Sequence, residues 1–183
     1  MRAILAGMAC LAIAACDSGG VPPPGQEPLR ASAPQVEADA VELRADGLVA
    51  GTEAFYFAAG QREVETALTA VLGEPETTTQ NKECGAGPLS FTAFPGGLSV
   101  HFQNGSLAGW NVSTPDQPIE SDIKVVGDVQ IGTQRSDAQE ADGFAMLEGS
   151  TLGEEFSLGD RMGGFIEGDT VTMLYSGTQC FFR

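Results

Sequence analysis

The sequence predicts an α+β fold in which helices lie on one face of an antiparallel sheet, built from two pseudo-repeats of helix plus β-meander. Three observations predict it. One segment carries apolar residues at helical period, two segments alternate apolar and polar residues around tight turns, and the order helix then hairpin occurs twice.

In chain order, the first unit opens with an extended segment, Val41–Ala50, and its helix follows at Gln61–Leu72. Val64, Ala67, Leu68, Val71 and Leu72 form one stripe at i, i+3, i+4, i+7 and i+8, while Glu63, Glu65 and Thr66 occupy the other face. Gly73 and Pro75 supply the stop. Next comes "GLSVHFQNGSLAGWNVS", where Leu98, Val100 and Phe102 alternate with Ser99, His101 and Gln103 up to Asn104-Gly105. Both residues of a two-residue hairpin turn must tolerate positive φ, which makes Asn-Gly a strong hairpin signal. The second unit opens with Ile123–Ile131, passes through a shorter helical segment, "GTQRSDAQEA" from Gly132, and ends in "GGFIEGDTVTMLYSG", turning at Gly168-Asp169.

The two hairpins overlay without a gap, "FQNGSLAGWNVS" from Phe102 on "IEGDTVTMLYSG" from Ile166, and "GQREVETAL" from Gly60 lies over "GTQRSDAQEA". The pseudo-repeats are thus expected at about 41–113 and 123–183, within a single domain of residues 36–183. With "LGEP" after its helix, the unit resembles the small αβ modules of the β-lactamase-inhibitor protein and of the small lipoprotein of the outer-membrane barrel-assembly machinery. The resemblance implies an interaction module and carries over no catalytic residue. The stretch "NKECGAGPLSF" with the terminal "CFFR" also resembles a recurring bacterial lipoprotein type to which no established activity attaches.

Location is more legible than activity. Met1-Arg2 supplies a positive charge, Ala3–Ala15 is an unbroken run of small and apolar residues, and Ala14-Ala15-Cys16 is a small-residue cleavage site, the layout of an export signal over residues 1–15. The run is about 13 residues long, short of the roughly 17 to 25 that a spanning helix needs. Ile13-Ala14-Ala15-Cys16 resembles the lipobox of bacterial lipoproteins, which implies that Cys16 becomes the lipidated first residue of the mature chain. The competing reading is a secreted protein cut near Ala15. Residues 16–35, rich in Gly, Pro and Ser, read as a disordered tether that reaches ~25 Å as a coil and up to ~60 Å if its prolines extend it. The expected localisation is the cell envelope, lipid-anchored to a membrane and facing the periplasm.

With Cys10 lost alongside the signal and Cys16 lipidated, Cys84 and Cys180 remain, in an oxidising compartment where disulfides persist. A Cys84–Cys180 bridge would close a loop of about 96 residues, for which the chain-entropy account gives up to ~4.7 kcal/mol. The alternative is two buried free thiols.

The formal net charge is −16, and removing Arg2 makes it more negative still. Phosphate backbones are bound through Lys and Arg, so nucleic acid is not an expected partner. No catalytic residue, metal site or cofactor is expected. The single histidine, His101, sits mid-strand, where a surface or half-buried structural role is the simpler reading. The 25 Asp and Glu offer carboxylate pairs too freely for any pair to be diagnostic, and Glu154-Glu155 reads as a turn or strand start. "CGAGPLS" departs from a dinucleotide loop at Pro88 and Ser90 and lacks a parallel βαβ context.

One feature favours binding. A two-residue turn at Asn104-Gly105 would pair Ser99 with Trp110 and His101 with Ala108, placing Ser99, His101 and Trp110 on the sheet face away from the helix as a candidate binding face. A bulge would instead flip the register and carry Trp110 into the core. The expected function is a tethered, non-enzymatic module that binds an envelope protein. Inhibition of a periplasmic hydrolase, or an enzyme with an unrecognised carboxylate site, are the alternatives.

Overall fold

Hydrogen-bonded strands dominate the computed structural model, which describes residues 39–115 and 122–181, within the compact unit Pro34–Arg183. The expected signal peptide, Cys16 and the tether lie outside the described residues. The elements among those described are β1 (Ala40–Arg44), β2 (Gly47–Ala50), β3 (Glu53–Tyr56), α1 (Gln61–Leu72), β4 (Thr77–Asn81), β5 (Leu89–Phe94), β6 (Leu98–Gln103), β7 (Ser106–Ser113), β8 (Asp122–Val125), α2 (Arg135–Gln139), β9 (Phe144–Met146), β10 (Glu154–Leu158), β11 (Met162–Glu167) and β12 (Thr170–Gly177).

The strands form two sheets. A four-stranded sheet has the order β3-β2-β1-β8, and an eight-stranded sheet the order β4-β5-β6-β7-β12-β11-β10-β9. The pairs of the larger sheet are antiparallel, and its two strand series meet where β12 pairs with β7, Tyr175 opposite Asn111. The one parallel pair in the smaller sheet is β1 with β8.

The expected α+β class, two pseudo-repeats of helix plus meander with helices as a layer on the sheet, is corrected to a mostly β fold. Two physical reasons account for the difference. The extended segments at Val41–Ala50 and from Ile123 do not extend a repeat; they supply β1, β2 and β8 of a separate sheet. The second helical segment has no apolar stripe, so α2 stops after five residues with Ala138 as its buried residue, whereas α1 buries Val64, Leu68 and Leu72. Too little apolar surface is available on α2 to offset the cost of nucleating a longer helix.

One apolar cluster joins Leu43 and Leu48 of the smaller sheet, Val64 and Leu68 of α1, and Leu98, Trp110, Leu174 and Phe156 of the larger sheet. Glu65 of α1 accepts a hydrogen bond from the buried Thr92 hydroxyl of β5 at 2.7 Å, which fixes the helix on that face. The Asn104-Gly105 turn has φ of 53° and 77°, as a primed hairpin turn requires. Two residues beyond it the ladder slips. Phe102 pairs with Leu107, but His101 pairs with Gly109 and Val100 with Trp110, so Ala108 is the extra residue of a bulge. Every residue of β7 past that point faces the side opposite to the one a regular hairpin would give it.

Candidate functional site

The outer face of the eight-stranded sheet, opposite the cluster, carries the unusual chemistry. It presents Ser99 and His101 from β6, Asn111 from β7, Phe165 from β11, Met173 and Tyr175 from β12, and Glu155 from β10. After β12 the chain turns at Gly177, φ 72°, and residues 178–181 run back as a strap. The Thr178 amide donates to the Ala108 carbonyl at 2.8 Å, so the bulge residue is also the strap's first anchor. Gln179 Nε2 donates to the carbonyls of Trp110 (3.1 Å) and Ser176 (2.9 Å). Phe181 then packs edge-on to Phe165 and Tyr175, with ring centroids 5.5 and 5.2 Å away.

His101 is the second anchor. Its Nδ1 lies 2.9 Å from the Thr178 carbonyl and its Nε2 lies 3.0 Å from Asn111 Nδ2. A carbonyl accepts only, so Nδ1 carries the proton and Nε2 accepts from the Asn111 amide, giving a neutral ring with both nitrogens engaged. The ring is 1% exposed and packs edge-on to Phe91 at 4.8 Å. Burial pushes its pKa below the usual 6.5, partly opposed by the bond to Thr178. A histidine held in this way is a structural clamp, with no nitrogen directed at solvent to act as a base.

Glu155 is fully buried, yet it is not a bare charge in an apolar site. Its two carboxylate oxygens accept from Tyr175 Oη and Ser150 Oγ, each at 2.6 Å. Short bonds from hydroxyls to a carboxylate are charge-assisted and offset part of the cost of desolvation. This network ties the β9–β10 loop to β12 beneath Phe181.

Beside the network lies a groove of about 680 Å³. Phe165 and Met173 line it from the sheet, with Leu152 from the β9–β10 loop and Phe181 from the strap, and Glu154 and Glu167 add carboxylates. Glu154 is positioned by Arg135, whose Nη2 donates to Glu154 Oε2 and to the Gly168 carbonyl, each at 2.7 Å. The guanidinium holds the Glu154 carboxyl below its usual range, chiefly through that hydrogen bond. The short helix α2 therefore serves to carry Arg135 to the β11–β12 turn and one side of the groove.

The expected binding face of Trp110, His101 and Ser99 is not assembled as predicted. Ser99 and His101 share the outer face, where Ser99 is half-buried and pairs with Asn111 in place of Trp110. Trp110 lies on the inner face, 0% exposed, and its Nε1 donates to the Arg44 carbonyl of β1 at 2.8 Å. The bulge at Ala108 separates them. The groove residues Phe165, Met173 and Phe181 were not singled out by sequence reasoning. Their signal is that β11 and β12 are apolar in both phases: Phe165, Met173 and Tyr175 face one way, Ile166 and Leu174 the other.

Cys84 and Cys180, the pair expected to form a disulfide, stand in the structure as free thiols. They are nonetheless neighbours across the strap, with Cys84 buried and Cys180 part-exposed. Asn81 Nδ2 donates to Cys180 Sγ at 3.4 Å, and Cys84 Sγ donates to the Gln179 carbonyl at 3.9 Å. Desolvation first, then the neighbouring Cys84 thiol, pushes the Cys180 pKa up to about 11. Among the described residues no three His, Cys, Asp or Glu side chains converge as a metal site, and no helix is long and apolar enough to cross a membrane. Compared with protein-family models, curated proteins and solved structures, the chain shows no match.

Proposed function

We propose that the chain is a cell-envelope lipoprotein, held to a membrane through a lipidated Cys16 and facing the periplasm, whose folded unit is a non-enzymatic protein-binding module. The observation that carries the binding part is the groove over Phe165 and Met173. Its volume, apolar floor and flanking carboxylates are those of a surface that takes apolar side chains of a partner and reads polar groups beside them. The state of His101 supports a role other than hydrolysis, since its ring nitrogens already hold Thr178 and Asn111. The anchor rests on Ile13-Ala14-Ala15-Cys16 at the end of the apolar run and on the Pro- and Gly-rich stretch that follows. Multiple acyl chains give stable anchoring where one gives marginal binding.

The test is crosslinking in cells of the tagged full chain, detergent solubilisation and identification of what co-purifies. One dominant envelope partner is expected, lost with Met173→Asp while circular dichroism shows the fold intact. A partner profile unchanged by Met173→Asp would refute the groove, and no partner above background would refute the binding module. For the anchor, Cys16→Ala should abolish metabolic labelling with an alkyne fatty acid and shift the chain out of the membrane fraction. A variant that labels and fractionates like wild type overturns the lipidation.

A further inference from the structure

We propose that Cys84 and Cys180 are an intramolecular redox pair whose oxidation locks the C-terminal strap, and with it the Phe181 wall of the groove, onto the sheet. The inference goes beyond the binding reading and needs no partner to be tested. It stands on placement. Cys84 Sγ lies 3.9 Å from the carbonyl oxygen of Gln179, the residue before Cys180, although the two cysteines are 96 positions apart in sequence, and Asn81, three residues before Cys84, donates to Cys180 Sγ at 3.4 Å. Cys84 is reached from the end of β4, where the turn after Asn81 is set by the Glu83 amide donating to Asn81 Oδ1 at 2.8 Å. The turn is further held where Gln103 Nε2 donates to the Ala86 carbonyl at 2.7 Å. Cys180 is reached from the strap, held just upstream by His101 on Thr178 and by the Gln179 amide on Trp110 and Ser176. Both sulfurs are therefore presented by backbone that is fixed independently of them.

The adjoining residue, Phe181, both lines the groove and packs against Phe165 and Tyr175. In the dithiol form, the strap depends on hydrogen bonds and this ring contact. A covalent bond at Cys180 would pin the residue next to Phe181, so the redox state of the pair sets how firmly the groove wall is held.

The reaction takes a disulfide as its oxidant, either a small molecule or the disulfide of a thiol oxidase. Part-exposed Cys180 loses its proton to solvent, and its thiolate attacks one sulfur of R–S–S–R, expelling one thiolate and forming a mixed disulfide. Cys84 then loses its proton and attacks Cys180 Sγ, expelling the second thiolate. The sum is two protein thiols and one R–S–S–R giving one protein disulfide and two R–SH, with the protein oxidised and the small disulfide reduced.

The experiment uses the full chain with oxidised glutathione as the probe. After denaturation, alkylation should find neither Cys84 nor Cys180 reactive, and peptide mapping should find the two joined. Hydrogen exchange across residues 178–181 should slow at least tenfold relative to the reduced protein, and Cys180→Ser should abolish that slowing while keeping a native circular dichroism spectrum. Alkylation mapped to both Cys84 and Cys180 after oxidation, or only bonds between separate chains, would overturn the pairing. A Cys84–Cys180 bond with unchanged exchange over 178–181 would overturn the lock.

Discussion

His101 donates through Nδ1 to the carbonyl of Thr178 at 2.9 Å, a bond that joins the middle of β6 to the strap 77 residues later in sequence. Its contacts Phe91, Asn111 and Thr178 carry no charge that would favour an imidazolium. A second proton would have to enter at Nε2, which faces the Asn111 amide donor. Burial keeps the folded pKa below 6.5, while in the unfolded chain the group titrates near 6.5. Below pH 6.5 the unfolded chain therefore binds a proton that the folded chain does not. The contribution of His101 is fully present above about pH 6.5 and is lost as pH falls toward the lower folded value. Denaturant unfolding at a series of pH values from 7.5 down to 5 should show this loss, and His101→Gln should remove that component of the slope. An identical slope in the variant would refute the assignment.

Trp110 follows from the same strand pair. Its indole fills the space between the sheets and satisfies the Arg44 carbonyl, so Trp110→Ala should cost about 3–5 kcal/mol in unfolding free energy. Trp110→Phe keeps an aromatic ring but leaves that carbonyl without its donor, which should cost about 1–3 kcal/mol. Both losses should appear in the denaturation midpoint of the isolated protein. A Trp110→Phe variant as stable as wild type would show that the Arg44 carbonyl finds another donor.

What could be read in the sequence was what depends on short-range pattern. The stripe from Val64 to Leu72 and the turns at Asn104-Gly105 and Gly168-Asp169 each rest on residues close in sequence, and the elements lie where those residues place them. The fold class is not legible in the sequence because whether Val41–Ala50 joins one sheet or another is decided by pairing with β8, about 80 positions away, and no local preference encodes that pairing. The candidate face failed on a single inserted residue. With a side-chain period of two, one bulge at Ala108 exchanges the faces of all later residues in β7. Nothing around Ala108 in the sequence distinguishes a bulge from a regular pair, except a glycine at 109 that permits close approach of another chain segment.

The buried carboxylate of Glu155 gives a third prediction. Tyr175→Phe removes one of its short donors without changing the ring that packs on Phe165 and Phe181. The lost charge-assisted bond should cost about 1.5–3 kcal/mol in urea unfolding. Glu155→Gln in the Tyr175→Phe background should cost less than Glu155→Gln alone, because the two residues share the interaction. Strict additivity of the two substitutions would show that Tyr175 and Glu155 are not energetically coupled.

Glycine 109 separates the strap's contribution from that of the hairpin. A Cβ built on Gly109 would sit 2.6 Å from the Thr178 carbonyl oxygen and 2.8 Å from that of Ser176, both backbone atoms that cannot swing aside. Gly109→Ala should therefore push the strap off the sheet, at a cost of about 1–3 kcal/mol, and speed hydrogen exchange at Thr178. The contrasting variant is Gly105→Ala. No atom lies within 4 Å of a Cβ there, but the φ of 77° disfavours any side chain, so the cost of about 1 kcal/mol is local to the turn. Exchange at Thr178 should rise with Gly109→Ala and stay at the wild-type rate with Gly105→Ala. Equal acceleration in the two variants would mean that the strap responds to global stability and not to its own contact with β7.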